Sequence, residues 1–141
     1  MTQRSPAQLM RGFFADVWNA RAPDQVAAYM APDVVNYAVD EAGGHLVGHA
    51  PFQEFLGRFL GNFSNIHFTM DDVMESGDSA AARWHCTLTH TGPGLGVPPT
   101  GKTLTIRGMT FLKARDGFIT EGWNEWDRAA LATQLGLLVP A

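Results

Sequence analysis

The sequence predicts an α+β domain in which helices cover one face of a curved, antiparallel or mixed β-sheet. Apolar residues recur at helical spacing in the first half of the chain and give way to strand-like segments divided by Gly and Pro in the second. The order of elements is two helices, a strand, a helix and then four strands, which argues for helices packed on a strand meander.

Ser5 and Pro6 supply an N-cap and a proline at the first helical position, and Leu9, Met10, Phe13, Phe14, Val17 and Trp18 follow as one broad apolar stripe. A shorter helix starts at Pro23 or Asp24, carries Val26, Ala27, Tyr29 and Met30, and stops at Pro32. Residues 34–39 read as a short strand, and Gly43-Gly44 turns the chain through His45, Leu46 and Val47 to Gly48. Phe52, Phe55, Leu56, Phe59, Leu60 and Phe63 then keep the helical period, which predicts a third helix over residues 50–62. These three helices of the N-terminal half are followed by a strand over residues 66–75, closed by Ser76-Gly77-Asp78.

Three segments, residues 79–91, 102–114 and 118–127, are rich in Thr, branched aliphatics and aromatics and form the centre of the sheet. Asp116-Gly117 joins the last two as a tight hairpin, because that pair tolerates positive φ. The first two are joined by residues 92–101, with four Gly and three Pro, a loop suited to the rim of a pocket. A short C-terminal helix covers residues 128–135, with Gly136 as its cap.

A chain of 141 residues forms one domain with a core that needs no staples. It is 45% hydrophobic and 17% charged with a formal net charge of -4, and its Lys and Arg are scattered, so nucleic acid is not an expected partner. Cys86 is the single cysteine and cannot form an internal disulfide, and no histidine pair has metal-ligand spacing with a carboxylate. No metal is expected. Residues 1–20 lack an apolar run long enough for a signal or membrane segment, and the expectation is a cytoplasmic protein without membrane attachment.

Several collinear motifs resemble the SnoaL-like polyketide (ester) cyclase family. They are Gly48-His49, the run His67-Phe68-Thr69-Met70-Asp71-Asp72, Gly77-Asp78, Arg83-Trp84 and Thr89-His90-Thr91-Gly92. The set continues with residues 96–102, Asp116-Gly117, Ile119, Glu121, Trp123, Asp127 and Gln134-Leu135-Gly136, and spans about two thirds of the chain. The resemblance implies the cone-shaped α+β fold of the nuclear transport factor 2-like superfamily, with helices closing a curved sheet around an apolar pocket. It further implies a small apolar carbonyl compound as ligand, intramolecular aldol condensation without cofactor, and a homodimer. The family's acid/base aspartate falls on Asp127, with a histidine nearby. The family often has Gly where this chain has Leu88 and His where it has Gly122, which bears on the shape of the pocket.

Aldol closure needs a base for a carbon flanked by carbonyls and an acid for the new alkoxide, and one carboxylate whose pKa an aromatic wall raises can serve both. Plain alternation puts Glu121, Trp123, Glu125 and Asp127 on one face of the last strand, while a bulge near Asn124 would reverse the parity. Asp127 with Trp123 beside it is the leading pair, Glu121 and Glu125 are the less favoured acids, and the alternative for Asp127 is the N-cap of the last helix. His90 shares a strand face with Trp84, Cys86 and Leu88, and either orients a substrate carbonyl or bonds its own loop. His67 begins a strand. Arg107 is either a solvent-facing charge or an anchor for an enolate, and one of Asn36 and Tyr37 faces the pocket. The stripe containing Phe59 is core whose upper residues line the cavity, and Trp126 packs at a subunit contact. Two other readings are an epoxide hydrolase built on Asp127, Arg107 and Asp72, and a binding protein without turnover.

Overall fold

Six strands and four α-helices carry the chain over residues 3–39 and 44–137, the part described by the computed structural model. A capping box starts α1 (Pro6–Phe13): the Ser5 hydroxyl accepts from the Gln8 amide at 3.2 Å, and the Gln8 side chain accepts from the Ser5 amide at 2.8 Å. The apolar stripe continues to Trp18, but the winding changes. Phe14–Asn19 is a π-helical turn in which Ala20 N donates to Ala15 O and Ala22 N to Val17 O, each across five residues.

After a 3-10 turn over Pro23–Gln25, α2 (Val26–Tyr29) ends where Met30 becomes extended. β1 (Met30–Tyr37) therefore begins four residues earlier than residue 34 and passes through Pro32, which was expected to stop a helix. Gly43 lies outside the described residues, and part of the expected turn after it is instead a strand, β2 (Leu46–Val47). Then follow α3 (His49–Asn62), β3 (Phe63–Ser76), β4 (Ser79–His90), β5 (Thr103–Arg115), β6 (Phe118–Trp126) and α4 (Arg128–Gln134). Phe63, read as the last residue of the helical stripe, opens β3.

The strands form one mixed sheet in the order β2-β1-β6-β5-β4-β3, with β1 parallel to β6 and the other neighbours antiparallel. Asp116 and Gly117 at the β5–β6 turn have φ of 54° and 80°, the paired positive values that a two-residue hairpin requires. β4 alternates strictly and buries Ala80, Ala82, Trp84, Cys86, Leu88 and His90. β5 turns Leu104, Ile106, Thr110 and Leu112 to the same side. Gly108 between them is a steric necessity, because a Cβ there would lie 2.4 Å from the Trp84 ring.

β6 does not alternate throughout. Ala114 pairs with Ile119 and Lys113 with Glu121, so Thr120 is an unpaired bulge residue. One extra residue reverses the parity downstream, and Gly122, Asn124 and Trp126 rather than Trp123 and Glu125 point to the helix side. The expected bulge exists, four residues before the place predicted for it.

The outer strand β3 presents backbone groups that could pair with another chain. Asn19, at the end of the π-turn, occupies part of that edge: its side chain accepts from Phe68 N at 2.7 Å and donates to Phe68 O at 3.0 Å. Arg21 similarly donates to Leu60 O at 2.9 Å and Phe63 O at 3.2 Å, tying the π-turn to the α3–β3 junction.

Candidate functional site

The helices and the concave face of the sheet form a partly open cavity of about 60 Å³. From the helical side Phe13, Phe14, Trp18, Phe52, Phe55 and Phe59 wall it. From the sheet come Phe68, Trp84, Ile106, Leu112, Ile119 and Trp126. The rings touch edge to face or tilted, as at Trp18–Phe59 with centroids 5.5 Å apart and 89° between planes, a geometry that packs aromatics without stacking them flat.

Three polar side chains enter this wall: Asn36, Thr110 and Asn124. Trp84 Nε1 can only donate, and it donates to Thr110 Oγ1 at 3.0 Å. The Thr110 hydroxyl then has its own proton to give, and its partner at 2.9 Å is Asn124 Oδ1. This relay sets the orientation of the Asn124 amide through its Oδ1 and leaves the NH₂ group outside the relay. Asn36 is 2% exposed and its amide donates to the Met30 thioether at 3.6 Å, a weak partner. Its carbonyl oxygen sits where a side chain at Gly122 would be, 2.9 Å from an added Cβ, so Gly122 makes room for Asn36. The arrangement presents hydrogen-bond donors inside an apolar enclosure, which suits a carbonyl or enolate oxygen.

Asn36, Phe59 and Trp84, expected at the site, line the cavity, and Tyr37 points outward. Trp123 does not line it: on the outer face its ring stacks on Tyr37 at 5.0 Å and 15°. The bulge at Thr120 is the reason. Asp127 is exposed and caps α4, its Oδ1 accepting from Ala130 N at 2.8 Å. His90 is fully buried outside the lining. Thr100 N donates to its Nδ1 at 3.2 Å, so the ring holds the Gly/Pro loop as the alternative reading had it, while Nε2 has no partner. His67 is exposed in a separate groove between α1 and β3.

Arg107 is exposed and pairs with His85 in register on the outer face. Asp72, also exposed, is held by Arg83 at 2.7 Å. Asp127 N donates to Arg107 O at 3.1 Å, but none of Asp127, Arg107 and Asp72 lines the cavity, so the set needed for epoxide hydrolysis is not gathered inside it. Trp126 lines the cavity with Arg128 over its ring at 4.7 Å. Among the described residues no three of His, Cys, Asp and Glu gather as a metal site would need, and no helix is long and apolar enough to cross a membrane.

Cys86 lies beside this wall, wholly buried, and burial pushes its thiol up to about 12. It stays neutral at ordinary pH and is no nucleophile. Sequence reasoning missed Thr110 and Asn124. Thr110 was findable, since it is the one polar side chain among the apolar alternate positions of β5, whereas Asn124 depended on locating the bulge.

Comparison with known proteins agrees with this architecture. No curated protein matches significantly. Among solved structures, AclR of Streptomyces galilaeus, a candidate hydroxylase, is 26% identical with a TM-score of 0.81, covering 94% of this chain and 85% of that one. TsrD of Streptomyces laurentii is 26% identical with a TM-score of 0.81, over 98% and 99% of the two chains. IdmH of Streptomyces antibioticus, a candidate polyketide cyclase, is 25% identical with a TM-score of 0.80, over 93% and 98%. The fold is the nuclear transport factor 2-like α+β fold. The profile of SnoaL-like polyketide cyclases matches residues 8–135, nearly the whole described chain, and the chain belongs to that family.

Proposed function

We propose that this cyclase-family member closes a ring on a small, apolar, polyketide-like carbonyl compound, such as an ester, by intramolecular aldol condensation in the cavity and without a cofactor. The observation that carries the reading is the Trp84–Thr110–Asn124 relay, which occupies the Asn124 oxygen and sets its amide in the wall of an aromatic cavity. The wall folds the chain so that nucleophilic and electrophilic carbons approach, and the amide holds the oxygen on which enolate charge develops. A carbon flanked by two carbonyls loses its proton, the new carbon–carbon bond forms, and the resulting alkoxide regains a proton. The described lining contains no carboxylate or imidazole, so in this reading both protons exchange with water and Asp127 serves α4.

Asp127 separates this mechanism from carboxylate catalysis. Asn caps helices as well as Asp, so Asp127→Asn is expected to keep both stability and the rate of β-keto ester ring closure within about twofold. Asp127→Ala is expected to lose about 1 kcal/mol of stability in urea denaturation with the rate again retained. A rate fall of about 100-fold in Asp127→Asn would return the proton transfer to Asp127 and displace the water-exchange mechanism. Binding of β-keto esters by wild type with no acceleration of closure would leave a small-molecule-binding protein.

The same reading has the chain as a cytoplasmic homodimer joined through the outer face of the sheet. Met109, Phe111 and Phe118 are exposed there at 58%, 40% and 39%, and Arg107, Lys113, Glu121 and Glu125 place both charge signs around them, which makes the face self-complementary. Light scattering after size exclusion is expected to give twice the 15.4 kDa chain mass, and Phe111→Glu to halve it. A wild-type monomer at micromolar concentration would reject this interface.

A further inference from the structure

We infer that ligands reach the cavity sideways, through the groove between α1 and β3, past a gate made by Phe14 and Phe68, and that the groove favours apolar molecules with an anionic end. The inference rests on the cavity being the ligand site. Phe14 and Phe68 are the two residues that line both the cavity and the groove, with ring centroids 5.0 Å apart. Two rings thus stand between the cavity and the groove, backed by Trp18 and Trp84 at 5.1 and 4.9 Å from Phe68.

The outer side of the gate is polar and one-signed. Arg11, Asn19, His67 and Thr69 line it with Ala15 and Met70, and no acidic residue lines it, in a chain whose net charge is -4. A locally positive approach on an acidic protein raises the encounter rate of anions. The apolar body of such a molecule would meet Phe14, Phe68 and Met70 while Arg11 holds its charge.

The backbone behind the gate is not regular α-helix. Phe14 begins the π-turn, where hydrogen bonds span five residues instead of four, a geometry that is rare and recurs at functional sites. Asn19 closes the same turn and clamps Phe68 through both backbone groups, so the turn and the strand edge move as a coupled pair. Releasing that clamp separates the two halves of the gate.

Stopped-flow fluorescence with two probes of one skeleton tests this: anilinonaphthalene sulfonate, which is anionic, and N-phenyl-1-naphthylamine, which is neutral. Asn19→Ala is expected to raise association and dissociation rates of both probes about tenfold, with little change in Kd. Thr69→Trp, which fills the groove from an exposed position, slows both rates for both probes. Arg11→Glu slows association of the sulfonate about tenfold and leaves the neutral amine unchanged. Rates for both probes indifferent to Thr69→Trp and Arg11→Glu would overturn the side portal while the cavity reading stands. Failure of wild type to bind either probe would overturn both.

Discussion

Asn124→Leu lowers the rate of ring closure about 100-fold, equivalent to about 2.7 kcal/mol of transition-state stabilisation, while the protein stays folded. The reason lies in the direction of hydrogen bonds. Trp84 Nε1 donates to Thr110, Thr110 donates to Asn124 Oδ1, and only the amide NH₂ remains for substrate. Leu matches Asn in size and removes that group, at the cost of leaving the Thr110 hydroxyl without an acceptor. Asn124→Asp sharpens the test: it keeps the acceptor for Thr110 but sets a carboxylate oxygen where the donor stood. A carboxylate acting as a base would speed proton abstraction, whereas a site that works by holding an enolate oxygen loses rate through like-charge repulsion. Steady-state assays on a β-keto ester decide between them. Leu and Asp variants both as active as wild type would remove the relay from the mechanism.

Phe63→Ala costs about 3–5 kcal/mol of stability. Phe63 is 1% exposed, opens β3 directly after α3, and packs its ring 4.8 Å from Phe59 and 5.6 Å from His90. Truncation removes the buried ring from a junction that Arg21 fixes through the Leu60 and Phe63 carbonyls, so the backbone cannot collapse into the void. Because Phe63 does not line the cavity, ring closure per folded molecule is expected to stay near wild type. Urea denaturation of the two proteins measures the difference. A loss under about 1 kcal/mol would mean that the junction relaxes and that Phe63 is not a packing centre.

How far the residues alone led depends on the element. The α3 stripe was readable because the 3.6-residue period brings Phe52, Phe55 and Phe59 to one side, and the structure buries all three. β4 was readable because its six inward residues occupy every second position without interruption. The change of winding at Phe14 was not, since the apolar spacing of Phe13, Phe14, Val17 and Trp18 is compatible with both α and π turns. The early start of β1 was obscured by Pro32, a helix breaker that a strand also accepts where its missing amide is not required.

The site divides along the same line. Asn36, Phe59 and Trp84 sit on elements whose period survives, and they reach the cavity. Trp123 and Asp127 sit beyond Thr120, where a single unpaired residue moves alternate side chains to the opposite face. No local signal distinguishes Thr120 as the bulge, because its cause is the pairing of β6 with β5 on one side and parallel β1 on the other.

By itself the order of residues determined the family, the α+β layering and the apolar content of the interior, because these follow from periodicity and motif spacing within single segments. Which face of β6 meets the cavity, which polar group is left to donate, and which rings stand between cavity and solvent were decided only when distant segments paired. Strand parity and hydrogen-bond direction depend on partners in other segments, and a sequence read one segment at a time contains neither.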